Sequence, residues 1–175
     1  MDAAHPRDTG AGERARHIFP GRALRARAGR TRAPRRGAAH GHELGNHTWS
    51  HRHPWTMPAS AARKEVRDGA AAIADILGRA PKLFRPPHGR LRRCMIEEAE
   101  CGGQALMLWN RSAVDWGPLG SARGIARRLR AVQAGDIVLM HDGGRGINRP
   151  EELVKVLPEF LSMRQADRPR AAPGA

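Results

Sequence analysis

The chain has 175 residues, enough for one domain with a core of its own. No run of about 18 apolar residues occurs, so no segment is built to span a membrane, and the N-terminus lacks the charged-then-apolar pattern of a signal peptide. The net charge of +14 would ordinarily point to nucleic acid or an anionic surface, but residues 1–40 hold half of it, with ten Arg against Asp2, Asp8 and Glu13.

Those first 40 residues differ from the rest. Ala, Arg, Gly and Pro supply 28 of them, and after Met1 the large apolar residues are Ile18, Phe19 and Leu24. No helical or strand period can be built from three such residues, and the segment cannot bury enough surface to offset its ordering entropy. Three readings fit it: a basic tail that binds polyanions, a targeting segment (although these are usually also Ser-rich), or GC-rich coding DNA read out of frame. A basic arm for nucleic acid would interleave aromatics, and only Phe19 is present, so nucleic acid is not expected as a partner.

From residue 41 the chain alternates between short apolar runs and helical periods. Residues 42–51 read as a polar loop after a strand end. A helix begins at Pro58-Ala59-Ser60, carries Val66, Ala70, Ile73 and Leu77 at 3–4 spacing, and stops at Gly78. Lys82 to Arg85 reads as a short strand ending in Pro86-Pro87. Leu91 to Ala99 reads as a helix that ends before Gly102-Gly103, with Cys94 and Cys101 as core thiols on one face. Gln104 to Trp109 is an apolar strand, Gly120 to Ala131 a basic amphipathic helix, and Asp136 to Met140 a fully apolar strand. Glu151 to Phe160 is the last helix, with two acids in its first turn, and a polar tail follows from Gln165. Strands alternating with helices predict a parallel α/β architecture, and its polar clusters fall at strand C-terminal ends, where barrel folds place active sites.

Four clusters carry chemistry. His47 and His51 lie four apart in Gly45-Asn46-His47-Thr48-Trp49-Ser50-His51, and on a helical turn both imidazoles would reach one cation. Arg85-Pro86-Pro87-His88-Gly89 follows the second strand, Asp115-Trp116 follows another, and Leu139-Met140-His141-Asp142 ends a third. Each has a plainer reading. His141 at a strand end is also what a satisfied core histidine looks like, Asp115-Trp116 fits a turn residue and a core aromatic, and Arg85 fits a surface arginine. Asp142-Gly143-Gly144 reads as a turn.

In order and spacing, the four clusters resemble the polysaccharide deacetylases, the NodB-homology or carbohydrate esterase family four enzymes. The resemblance covers about residues 41–163, leaving 1–40 as a separate segment and 164–175 as a disordered tail. It implies an incomplete, distorted (β/α) barrel and a hydrolase that removes N-acetyl groups from N-acetylglucosamine-containing polysaccharide, such as peptidoglycan or chitin. It also implies a divalent metal, usually Zn2+. By position, His47 and His51 would be imidazole metal ligands, and Arg85 would orient the catalytic base through an ion pair. The backbone N–H of His88, where the family usually has Tyr, would help bind the oxyanion. Asp115 would hold and tune His141, the general acid for the leaving amine, and Trp116 and Leu139 would wall the acetyl pocket. A monomer is expected. Family members are usually secreted or attached to the cell envelope, while this chain's own location stays unassigned.

One departure is large. The family opens with Thr-Phe-Asp-Asp-Gly-Pro, whose first Asp is the base and whose second is a metal ligand, and no Asp-Asp pair occurs in this chain. Residues 5–9, His-Pro-Arg-Asp-Thr, resemble the stretch that follows that motif, which would put Asp2 at the ligand position and Met1 at the base position. The resemblance therefore favours a start placed too late plus a frame error, with the N-terminal part missing or scrambled and the frame resuming near Gly41. Taken as written, the chain would be an impaired deacetylase. The alternative is a non-catalytic, degenerate barrel with a basic polyanion-binding arm.

Overall fold

A computed structural model of the chain describes residues 17–19, 32–143 and 147–166. The chain divides into two compact units, Met1–Met107 and Leu108–Ala175.

In the first unit, β1 (His17–Ile18) pairs in parallel with β2 (Glu43–Leu44), and β3 (Leu83–Phe84) pairs in parallel with β4 (Ala105–Leu106). A bridge between Asn46 and Phe84 links the two pairs. Helix α1 (Arg32–Ala39) precedes β2, α2 (Ala59–Leu77) precedes β3, and α3 (Arg93–Cys101) precedes β4. Strand–helix–strand order with parallel pairing is the expected α/β plan. Helix α2 follows the predicted period closely. Val66 and Ile73 are buried, and Gly78 adopts φ 70 at the C-cap, where a left-handed residue ends the helix. Its mid-helix Gly69 meets a different need: a Cβ there would lie 2.4 Å from Asn46 Oδ1 and 2.8 Å from the Thr48 backbone. The core joins Met57, Ala62, Val66, Phe84, Met95 and Ala99.

In the second unit, β5 (Arg111–Ser112) pairs in parallel with β6 (Val138–Leu139), and α4 (Ala122–Arg130) packs on α5 (Pro150–Ala166). Ala113, Ile125, Leu129, Val132 and Leu153 form its core. Ser121 caps α4 by accepting from Gly124 N–H, and Glu152 accepts from Ala122 N–H, so two of the first-turn donors are satisfied. Among the described residues no sheet closes, as an incomplete barrel requires, and no helix is long and apolar enough to cross a membrane.

Several expectations need correction. Regular structure was not expected before residue 41, yet β1 and α1 form there. Ala and Arg are strong helix formers whatever the apolar period, and a neighbouring strand supplies ladder bonds to almost any residue pair. The strand expected over 104–109 is only Ala105–Leu106, and β5 was missed because its residues are polar. The strand over 136–140 shortens to Val138–Leu139, half-buried, with Ile137 37% exposed. Helix α5 runs through Pro158 to Ala166, past the expected end at Phe160. Cys94 packs against the core, but Cys101 is exposed and is no core thiol.

Candidate active site

His47 and His51 sit in a loop. The helical turn that suggested their pairing is absent, because Thr48 and His51 hold φ values of 63 and 56. Non-glycine residues rarely adopt this region, and each costs of order 1–3 kcal/mol that the surroundings must offset. The rings nonetheless meet, with centroids 4.8 Å apart.

What offsets the strain is a buried polar network. Asn46 is fully buried, its amide donating to Val66 O at 2.9 Å and to Gln104 Oε1 at 2.8 Å, while its Oδ1 accepts from Thr48 N–H. Glu65 on α2 accepts from Ser50 N–H and Ser50 Oγ–H, and its backbone oxygen accepts from Trp49 N–H. Thr48 Oγ1 accepts from His51 N–H. Residues 65, 66 and 69 of α2 therefore brace the histidine loop from one side.

His47 is held as one tautomer. A carbonyl cannot donate, so the 2.6 Å contact between His47 Nδ1 and Arg85 O puts the proton on Nδ1 and leaves the Nε2 lone pair available. Burial pushes its pKa from 6.5 to about 3, outweighing that hydrogen bond, so the imidazole is neutral near pH 7. The ring succession continues from His51 to His88, at 4.9 Å, and from His88 to His53, at 5.4 Å. His88 holds φ 57 within a short 3-10 turn, Pro87–Gly89.

Arg85 is buried. Its N–H donates to Asn46 O, its Nε to Met107 O, and its guanidinium lies 4.1 Å from the Phe19 ring centre. Burial lowers its pKa to about 10, and it remains a cation. Met1, the counted base position to which its ion pair was assigned, and Asp2 lie outside the described residues.

The second unit holds the Asp115–His141 pair. Asp115 is fully buried and grips His141 twice: Oδ2 accepts from the backbone N–H at 2.6 Å, and Oδ1 pairs with Nδ1 at 2.9 Å. Burial alone would raise the Asp115 pKa, but the hydrogen bonds and charge of His141 pull it below the ordinary carboxylate value. A carboxylate so held fixes the ring proton of His141 on Nδ1. The Asp115 backbone is fixed in turn: its O accepts from Arg149 N–H, and Gly117 N–H donates to Ile147 O. Val114 is forced to φ 48, and Arg128 donates to Ala113 O, Val114 O and Leu119 O across the bend. The Trp116 ring meets His141 edge-on at 5.4 Å. Leu139 is half-buried in β6, its O accepting from Ala113 N–H.

The sequence reading missed Asn46, Glu65, Gly69, Gln104 and Arg128. They act through partners far away in the chain, and a polar side chain in a loop or on a helix gives no period to read.

Imidazoles suit Zn2+, whose catalytic sites normally use three protein ligands. Among the described residues no three His, Cys, Asp or Glu side chains converge on one cation. The two histidines fit, and the third position falls outside the described residues.

Known proteins similar to this chain carry deacetylase and esterase names. The polysaccharide deacetylase family pattern matches residues 25–105, reaching back into the Arg-rich segment. A Bacillus cereus peptidoglycan-N-acetylglucosamine deacetylase is 31% identical over 123 residues, covering 69% of this chain and 57% of that protein, so the chain spans little more than half of this curated relative. An acetyl xylan esterase from Clostridium thermocellum, solved with a cobalt ion, superposes with a TM-score of 0.66 at 28% identity, covering 84% of this chain and 71% of that one. A family 4 carbohydrate esterase from Streptomyces lividans, solved with acetate, shares the fold with a TM-score of 0.70 at 22% identity, over 86% of this chain and 75% of that one. Together the family pattern, the curated relatives and the solved structures support a NodB-homology, carbohydrate esterase family four domain of the polysaccharide deacetylase type in this chain.

Proposed function

We propose that this protein is a metal-dependent deacetylase of N-acetylglucosamine-containing glycans, peptidoglycan or a chitin-like chain. The observation that carries the reading is the doubly bonded Asp115–His141 pair. Hydrolysis of an acetamide needs an activated water, a stabilised oxyanion and a proton for the departing amine. His141 Nε2 supplies that proton, and Asp115 holds the imidazole's tautomer and balances its charge. His47 and His51 hold the metal, which when bound supplies Lewis acidity and lowers the pKa of water. The His88 N–H is the oxyanion donor by position, and Trp116 and Leu139 shape the acetyl pocket.

Acetate release from peptidoglycan and from tetra-N-acetylchitotetraose tests this. EDTA should abolish release and zinc restore it. His141→Ala should abolish release with metal content unchanged, and His47→Ala should lose the metal. Release confined to O-acetylated xylan would correct the substrate class. A folded protein that releases no acetate with any metal sinks the reading.

A second reading is favoured by the ten Arg of residues 1–40: a non-catalytic domain with a polyanion-binding arm. It predicts glycan-independent binding to polyanions, with log K falling steeply as log salt rises.

A further inference from the structure

We infer that Trp55 is a stacking platform for one pyranose ring of the glycan, forming a binding subsite in the first unit. This inference rests on the deacetylase reading.

Trp55 is 62% exposed, and a lone exposed apolar residue would not be informative. What sets it apart is how firmly it is presented. It sits in a 3-10 turn, Pro54–Thr56, whose flanks are locked inward: Pro54 is buried, and Met57 joins the core. Trp55 N–H donates to His53 Nδ1, and both Thr56 N–H and Thr56 Oγ1–H donate to His53 O. Arg92 closes the turn, with Nη1 donating to both Pro54 O and Met57 O. The same guanidinium lies 5.5 Å from the indole centre. A cation therefore backs the indole while most of the ring stays in water. The turn spends several hydrogen bonds to hold an apolar plane outward, which adds nothing to the core.

The position gives the plane a use. His53, the N-cap of the turn, stacks on His88, and His88 meets His51. A line of imidazoles thus runs from the metal-ligand loop to the foot of the platform. A β-linked pyranose presents a face of axial C–H groups, and covering an indole with it removes apolar surface from water on both partners. The equatorial hydroxyl and acetamido groups stay at the rim, within reach of imidazole and guanidinium donors. A β-1,4-linked N-acetylglucosamine chain fits: one residue at the chemistry and another on the indole. Such a platform raises affinity for oligomers and leaves the monosaccharide nearly unaffected.

The test is calorimetric titration of the full chain with tetra-N-acetylchitotetraose and with free N-acetylglucosamine. Trp55→Ala should weaken tetramer binding by at least about fivefold, since truncating an aromatic anchor typically costs more than 1 kcal/mol. Trp55→Phe should keep most of the affinity, and Trp55→Leu, apolar but not planar, should lose it. On acetate release, KM for the tetramer should rise while kcat changes little. Wild type and Trp55→Ala binding the tetramer equally would overturn the platform and leave the deacetylase reading standing. A wild type that binds neither the tetramer nor peptidoglycan would remove both.

Discussion

The two units use the same side chain for opposite ends. In the first, His47 is sunk beside the Arg85 cation, and burial drives its pKa to about 3, so the ring stays neutral near pH 7. In the second, His141 is given a buried carboxylate that stays ionised, which makes room for a positive ring. Under the proposed function the first would serve as a metal ligand and the second as a general acid, so one residue type needs two environments. The supports differ accordingly. The His47 loop rests on amides and on Glu65 from α2, whereas His141 rests on one charge.

Removing that charge is the largest test of the contrast. Asp115→Asn should cut acetate release by about 10³–10⁴-fold with metal content unchanged, because the amide no longer fixes the ring's tautomer. Equal loss of metal and activity would mean that the division of labour is wrong. Next comes Phe84→Ala in the first core, expected to cost about 3–5 kcal/mol by urea unfolding, since Phe84 is fully buried. Asn46→Ala should cost about 1–3 kcal/mol and lower metal affinity, because three buried groups lose their partner.

Acid sharpens the comparison further. Below pH 6.5 the unfolded chain protonates His47, whereas the folded chain does not until about pH 3. Stability therefore falls as pH drops through that window, by about 1.4 kcal/mol per unit, and His88, also lowered chiefly by burial, adds to the slope. Asp115 contributes only lower down, its stabilisation being lost as pH falls through the carboxylate range. His47→Gln should flatten the upper part of the curve alone. The smallest effect is expected at Lys64→Ala, which removes an exposed ion pair to Asp68 and should shift stability by under about 0.5 kcal/mol.

Much of this plan was legible in the residues. The spacing of Val66 and Ile73 and the stop at Gly78 located α2, and the four polar clusters located the histidines, Arg85 and Asp115. The geometry that joins His47 to His51 was not, because it depends on left-handed backbone at Thr48 and His51 that tertiary contacts impose. Nor was the bracing. Asn46 reaches 58 residues along the chain to Gln104, and nothing local marks either as a partner. Residues 32–39 were misjudged for a different reason: counting apolar positions ignores backbone propensity, which Ala and Arg satisfy without a core.

The close approach at Gly69 has a consequence for how this protein can vary. Most helix–loop contacts are made through side chains, which can shrink or swell in compensating pairs. Here the Asn46 amide and Thr48 backbone lie against bare helix, so no partner substitution can make room for a larger residue at 69. Drift in the histidine loop must then proceed with that position fixed. In a saturation library selected for metal binding, residue 69 should tolerate almost no replacement, while the half-buried Ala70 beside it should accept several.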